Sequence, residues 1–300
     1  MRATPLEMSK GHQTGRTDIG QQPLVSIITP SYNQGAFIEQ TILSIKNQTY
    51  AEIEHIICDA CSSDGTLGVI REHDGTYNLR WISEPDNGQA DAINKGFDMA
   101  RGEIVTWINS DDIYVTPEAV MKVVRCFRAY PTADVVTGEA MYIDDKGRWL
   151  QPLVQSKGRV CYEHMRYMSR MAQPATFFRR HVIQDCRCDP TLDYAFDWDL
   201  FIRIARKYNI LCISELLAGF RVHPASKTSA STTPCVAEKR EVIRRYLGVR
   251  TAQYLLFTCY YLLFRTADLL PRPLRIMIQR ATSRASRMIT TITLGRVASA

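Results

Sequence analysis

From Pro23 onward, short β-branched runs alternate with longer stretches of helical periodicity, and this alternation restricts the fold more than any other feature of the chain. Leu24–Thr29 (LVSIIT) reads as a strand and Gly35–Asn47 as a helix with Phe37, Ile38, Ile42 and Ile45 near helical spacing. Ile53–Cys58, Leu79–Ser83 and Ile104–Ile108 read as further strands, separated by helices over Asp64–His73 and Gln89–Ala100. Repeated strand–helix units of this length predict an α/β fold with a mainly parallel sheet between helical layers. Each predicted strand runs into polar residues: Pro30-Ser31-Tyr32-Asn33, then Asp59, then Glu84-Pro85-Asp86, then Asn109-Ser110-Asp111-Asp112. In a parallel sheet these ends share one edge, where open α/β sheets bind ligands.

The last cluster has two readings. Adjacent carboxylates at a strand end repel each other unless a cation, a proton or a basic ligand offsets them, but an Asp-rich turn also caps a following helix. A crevice lined by carboxylates repels phosphate, so a nucleotide there calls for a bridging hard cation, Mg²⁺ or Mn²⁺. The chain has neither a G-x-G-x-x-G after the first strand nor a Walker-type lysine loop, which argues against dehydrogenase and P-loop chemistry.

Beyond Pro117 the pattern predicts a helix through Tyr130, a strand at Val135–Gly138, a turn at Asp144–Gly147, a helix over Phe196–Tyr208 and a strand at Ile210–Ser214. Residues 151–190 are irregular, punctuated by Pro152, Pro174 and Pro190. The resulting division is a polar tail over 1–22, a catalytic body over 23–236 and a helical extension over 237–300. Charge supports the last boundary. Of the net +6, residues 239–300 carry twelve Lys or Arg against Glu241 and Asp268, leaving the rest acidic. Basic residues interleaved with Tyr, Leu, Phe and Ile fit either an amphipathic pair on an anionic membrane or a helical cap with a solvated face. The longest uncharged apolar run, Thr251–Phe264, is too short to span a bilayer. No nucleic-acid recognition module accompanies the charge.

Nine scattered cysteines and a polar amino terminus without an apolar core segment point to a reducing, cytoplasmic setting, peripheral to the membrane if the tail binds it. Cys58 and Cys61 have C-x-x-C spacing but no second pair, and read as structural thiols.

Three segments together carry a resemblance: Pro23–Asn33 (PLVSIITPSYN), Asp59 with Ser62-Ser63-Asp64-Gly65-Thr66, and Ser83–Gly96 (SEPDNGQADAINKG). They resemble the family 2 glycosyltransferases over roughly residues 23–228. The resemblance implies a GT-A fold and inverting transfer of a sugar from a nucleotide-diphospho-sugar, a UDP-sugar first, to a glycan or lipid-linked hydroxyl. It further implies nucleoside contacts from Pro30, Tyr32 and Asp59 and a donor contact from Asp91. Asn109–Asp112 aligns with the family's D-x-D motif, with Asn109 in its first position and Ser110 in its second. Asp111 then becomes the metal ligand, supported by Asp112.

Phe196–Arg203 (FDWDLFIR) resembles the acceptor-side segment, which makes Asp197 the catalytic base. Phe196 replaces the usual acidic neighbour, and Asp199 either caps the helix or pairs with Arg203. Gln173 and Trp198 are acceptor-side candidates, each with a structural alternative as loop anchor or core residue. His223, Ser226 and Lys227 fit a loop closing on the diphosphate. Glu84 and Asp86 read equally as loop-shaping or substrate-contacting. A binding module that keeps this fold without its chemistry is the competing reading, motivated by Asn109 and Phe196; a nucleotidyltransferase is a third, opposed by the acceptor-side segment.

Overall fold

A computed structural model of the chain describes residues 22–153, 160–167, 169, 171–224, 226–227 and 233–267. The amino-terminal tail up to residue 21 and the basic residues beyond 267 lie outside the described residues.

Four parallel strands form the first half of the sheet: β1 (Val25–Ser31), β2 (Ile53–Asp59), β3 (Leu79–Ser83) and β4 (Ile104–Trp107), in spatial order β3-β2-β1-β4. Pairing of Ser31 with Asp59, and of Asp59 with Ser83, brings three strand ends level at the carboxyl edge. Every residue of β1 and β2 is buried, as expected for strands covered on both faces. The helices between them are α1 (Ile38–Lys46), α2 (Thr66–His73) and α3 (Gln89–Met99).

Two polar residues inside β2 are therefore obliged to find partners. The Glu54 carboxylate accepts hydrogen bonds from the Ser26 hydroxyl (2.5 Å), the Arg101 N–H (2.6 Å) and Arg80 (3.2 Å). The His55 ring is held between Thr29 Oγ1 (2.9 Å) and the Tyr77 hydroxyl (2.6 Å), and burial drives its pKa down to about 3.

The second half is β5 (Ile113–Tyr114), α4 (Ala119–Ala129), β6 (Val135–Ile143), β7 (Trp149–Pro152), α5 (Tyr162–Met165), a 3₁₀ turn at Gln173–Ala175, β8 (Thr176–Arg179), α6 (Arg180–Asp185), α7 (Phe196–Lys207), β9 (Ile210–Arg221), α8 (Thr233–Leu247) and α9 (Ala252–Ala267). The sheet continues from β4 through β8, β6 and β9 to β5, with β7 paired to β6. β8 runs antiparallel to β4 and β6, and β6 lies parallel to β9.

β6 and β9 are longer than their sequence patterns predict. Gly138 reads as a strand end in the sequence, but β6 continues past it. A Cβ at that position would lie 2.4 Å from Leu217 Cδ1, so the absent side chain lets β9 approach where the ladder register shifts. The turn predicted at Asp144–Gly147 is present, closed by the Asp144 N–H on the Arg148 carbonyl, with Gly147 at φ +78°.

One face of the sheet packs α3, α6 and α7 around Trp107, which stacks on Phe178 (5.7 Å between rings) and meets Phe97 edge-on. The other face packs α4 against Val25, Ile27 and Phe177. Helices α8 and α9 are built onto the first face: Val242, Ile243, Phe257 and Tyr260 are buried in the same apolar cluster as Leu200 and Phe201. α8 begins at Thr233, so residue 236 falls within a helix.

Candidate active site

A cavity of about 620 Å³ opens at the carboxyl edge of the parallel strands. Its walls include Pro30 and Tyr32 after β1, Cys61 after β2, Asp86 and Gln89 after β3, Asn109, Ser110 and Asp111 after β4, and Arg221, Ser226 and Lys227 from β9 onward. Strand ends far apart in sequence thus meet at one site, as the parallel topology requires.

The first corner is built by hydrogen bonds between loops. Asn33 and Cys61 both adopt left-handed backbone conformations (φ 52° and 54°), turning the β1 and β2 loops toward each other. The Asn33 N–H donates to Ser62 Oγ (2.8 Å), and that hydroxyl donates to Asp59 (2.5 Å). Asp59 also accepts the Ser62 N–H (2.9 Å) and the Ser83 hydroxyl (2.8 Å). The buried Asp59 carboxylate therefore ties β2 to β3 and to its own loop, behind the cavity wall rather than on it. Asp91, in the first turn of α3, accepts from the Asn87 N–H (3.0 Å) and is likewise not a wall residue. Asp86 is a wall residue and shapes its loop by accepting the Gly88 N–H (2.8 Å); Glu84 pairs with Lys95 (2.9 Å).

At the β4 end the two adjacent aspartates diverge. Asp112 is buried. One of its oxygens accepts the Arg221 N–H (2.8 Å) and the other the Asn109 side-chain N–H (3.2 Å). Burial, then the neighbouring Asp111, raises its pKa well above the usual carboxylate range. Asp111 faces the cavity, with Oδ2 3.1 Å from His223 Nε2, and the His223 ring lies on Phe37 (4.4 Å between centroids).

Asn109 has an inward role that explains the amide. Its oxygen accepts from Gln89 (2.8 Å), while its nitrogen donates to both Asp112 and the Gln173 side-chain oxygen (3.2 Å each). A carboxylate there would present oxygens to two acceptors, one of them acidic. Gln173 completes the link by donating to the Trp107 carbonyl (2.7 Å), so it bolts the 3₁₀ turn to the end of β4.

Sequence reading assigned no role to Arg221, which holds this corner together. Fully buried, it donates to the carbonyls of Asp111 (2.6 Å), Asp144 (3.0 Å) and Asp145 (3.2 Å) and to the Gln40 side chain (2.8 Å), with its guanidinium over Phe37. The available signal was an arginine ending a mostly apolar strand (ILCISELLAGFR), six residues after its other charged residue, Glu215.

On the acceptor side, Asp197 sits in the first turn of α7 and is not among the cavity walls. Its Oδ1 accepts the Trp198 N–H (2.7 Å). Burial raises its pKa, partly offset by that hydrogen bond and by the Lys239 charge. The preceding turn reaches the cavity rim: Lys227, a wall residue, approaches the Asp193 carbonyl (3.4 Å), and Gly88, another, lies against the Asp193 side chain. Trp198 is a core residue whose indole N–H donates to the Met165 carbonyl (2.6 Å). Asp199 is buried and pairs with Arg203 at i+4 (2.8 Å), the second of the two roles read from its spacing. Ser226 donates to the His223 carbonyl (3.0 Å), tightening the loop that carries both. Cys58 is buried, its thiol pKa pushed up to about 12, while Cys61 is exposed.

The fold is that of GT-A glycosyltransferases, and residues 26–188 match the family model described as glycosyl transferase family 2. The chain belongs to that family. It is 28% identical over 211 residues to the hyaluronan synthase of Pasteurella multocida, covering 67% of this chain and 21% of that protein. The chain thus spans about a fifth of that relative's length. Its fold superposes on S. aureus TarS 1–349 in complex with UDP-GlcNAc with a TM-score of 0.61 at 18% identity, covering 91% of this chain and 92% of that one. The mannosyltransferase PcManGT from Pyrobaculum calidifontis, in complex with GDP-Man and Mn²⁺, superposes with a TM-score of 0.58, also at 18% identity, covering 94% and 87%.

Proposed function

We propose that this chain catalyses inverting transfer of a sugar from a nucleotide-diphospho-sugar, UDP-linked in the first instance, to a hydroxyl of a glycan or lipid-linked acceptor. The observation that carries this reading is the carboxyl-edge cavity: a family 2 chain there brings Asp111, Ser110, Tyr32 and Lys227 to one surface, with a burial-raised carboxylate at the head of α7. Pro30 and Tyr32 flank the nucleoside, and Asp59 and Asp91 hold the loops that shape its pocket. Lys227 offers a cationic donor to the diphosphate as negative charge develops on it.

The donor set fits a hard divalent cation that keeps substrate oxygens among its ligands. Asp111 supplies a carboxylate, and His223, 3.1 Å away, supplies an imidazole. Among the described residues no cluster of three or more His, Cys, Asp or Glu gathers, so diphosphate and water would complete the shell. Asp112 and Arg221 fix Asp111 from behind. When bound, Mn²⁺ or Mg²⁺ neutralises the departing diphosphate. Asp197 takes the proton of the acceptor hydroxyl as its oxygen bonds to the anomeric carbon and the bond to the diphosphate breaks. Its raised pKa makes it a better proton acceptor than an ordinary surface aspartate.

A panel of UDP- and GDP-sugars, assayed for nucleotide release with and without Mn²⁺ or Mg²⁺ on wild type and Asp197→Asn, tests the proposal. Metal-dependent release is expected, cut by roughly 10²- to 10⁴-fold in the variant with UDP affinity retained. Unchanged turnover in Asp197→Asn removes the base. Nucleotide binding by the wild type without consumption of any donor would instead identify a binding module.

A further inference from the structure

Helix α7 begins without a cap of its own. Ala195 occupies the N-cap position, where a side-chain oxygen ordinarily receives the first free N–H groups. The turn leading into it is held from more than forty residues downstream: Glu238, on α8, takes the Asp193 N–H on Oε1 (3.0 Å) and the N–H groups of Tyr194 (2.7 Å) and Ala195 (3.0 Å) on Oε2. Three consecutive backbone donors thus converge on one carboxylate at the positive end of a helix, where a negative charge is also favoured by the helix dipole.

α8 holds the flanks of the same segment. Arg245 pairs with Asp189 (2.7 Å), and the Tyr246 hydroxyl donates to Asp199 (2.8 Å). On the opposite side the turn meets the cavity through Lys227 at the Asp193 carbonyl. The next helix turn carries Asp197, and Lys239, adjacent to Glu238, contributes a favourable charge to it.

We infer that Glu238 is a positioning residue for transfer: its carboxylate clamps the 193–195 turn and so sets where Asp197 stands relative to the donor cavity. This inference rests on the assignment of Asp197 as base. It makes α8 a working part of the acceptor side, because the buried apolar contacts of Val242 and Ile243 carry Glu238 to the turn. A carboxylate is needed because the task is to receive N–H groups on two oxygens; an amide keeps one oxygen and turns an N–H₂ group toward a donor.

The test uses the full chain and three variants, Glu238→Ala, Glu238→Gln and Asp197→Asn, with the Ala and Asn changes also combined. Turnover is followed with the donor that the panel selects, UDP binding by calorimetry, and backbone exchange at 193–197 by hydrogen–deuterium mass spectrometry. Glu238→Ala is expected to lower kcat about tenfold to a hundredfold, with donor KM and UDP affinity within about twofold and faster exchange at 193–195. Glu238→Gln should fall between Ala and wild type. On the Asp197→Asn background the Ala change should cost little more, since the group it positions is gone. Wild-type kcat in Glu238→Ala, unchanged exchange at 193–195, or an equal loss on both backgrounds overturns the inference. Should Glu238→Ala fail to fold, Glu238→Gln decides it by the same measurements. Full turnover in Asp197→Asn defeats the base assignment instead, whatever Glu238 does.

Discussion

The two halves of the molecule build their parts of the site in different ways. In the parallel half each polar group follows its own strand, and topology alone delivers Pro30, Ser31, Asp59 and Ser83 to one edge. Their hydrogen bonds run between neighbouring loops, as in the Asn33–Ser62–Asp59 chain. In the second half the site is assembled across the fold: Arg221 fixes Asp111, Gln173 joins Asn109 to β4, and Glu238 holds the turn before α7. The first half makes a rigid platform from local order. The second makes precise placements that depend on single long-range contacts, and so should fail at single residues.

Arg221→Met offers the severest test of that contrast. It leaves three carbonyls and the Gln40 oxygen without their donor and removes the buried cation beside Asp112. A loss of about 3 kcal/mol or more in urea unfolding is expected, with weaker metal-dependent UDP binding because Asp111 loses its backing. An unchanged midpoint would show that the corner is held by other contacts.

Asn109→Asp should be milder. The new carboxylate would face Asp112 and Gln173, with an expected destabilisation of about 1–3 kcal/mol and no gain in Mn²⁺-dependent UDP binding. Tighter binding would mean that position 109 addresses the donor instead of the loop.

The smallest effect belongs to the platform. Unfolded His55 titrates near about 6.5, whereas in the folded protein it stays neutral down to about 3. Between those values the unfolded chain binds the extra proton. The His55 contribution is therefore present above about pH 6.5 and is lost as pH falls toward about 3. Moving from about pH 7.5 to pH 6 should remove roughly 1 kcal/mol. His55→Gln should flatten that dependence of the thermal midpoint; a slope retained in the variant would assign it to other groups.

The same contrast accounts for what could be read without coordinates. Strand-end residues were legible because a parallel sheet converts sequence order into a shared edge, and the Asp199–Arg203 pair because helical spacing brings i and i+4 together. The division of labour between Asp111 and Asp112 was read only through the family motif: its physical cause, the backbone turn that buries Asp112 on the Arg221 N–H, is visible only in the fold. The extent of β6 was missed because Gly138 signals a turn in a sequence and a close strand approach in this sheet. Trp198, beside the proposed base, is held in the core by an acceptor more than thirty residues away. Among the described residues no helix is long and apolar enough to cross a membrane.

By itself, the sequence determined the α/β class, the family and the edge at which the cavity lies, since hydrophobic period and strand order are properties of neighbouring residues. Only the tertiary structure decided that Asp112 is buried on the Arg221 N–H, that Asn109 points inward, and that α8 reaches back to hold the turn before α7. Those outcomes depend on burial and on hydrogen-bond partners supplied from distant parts of the chain, which a linear pattern does not encode.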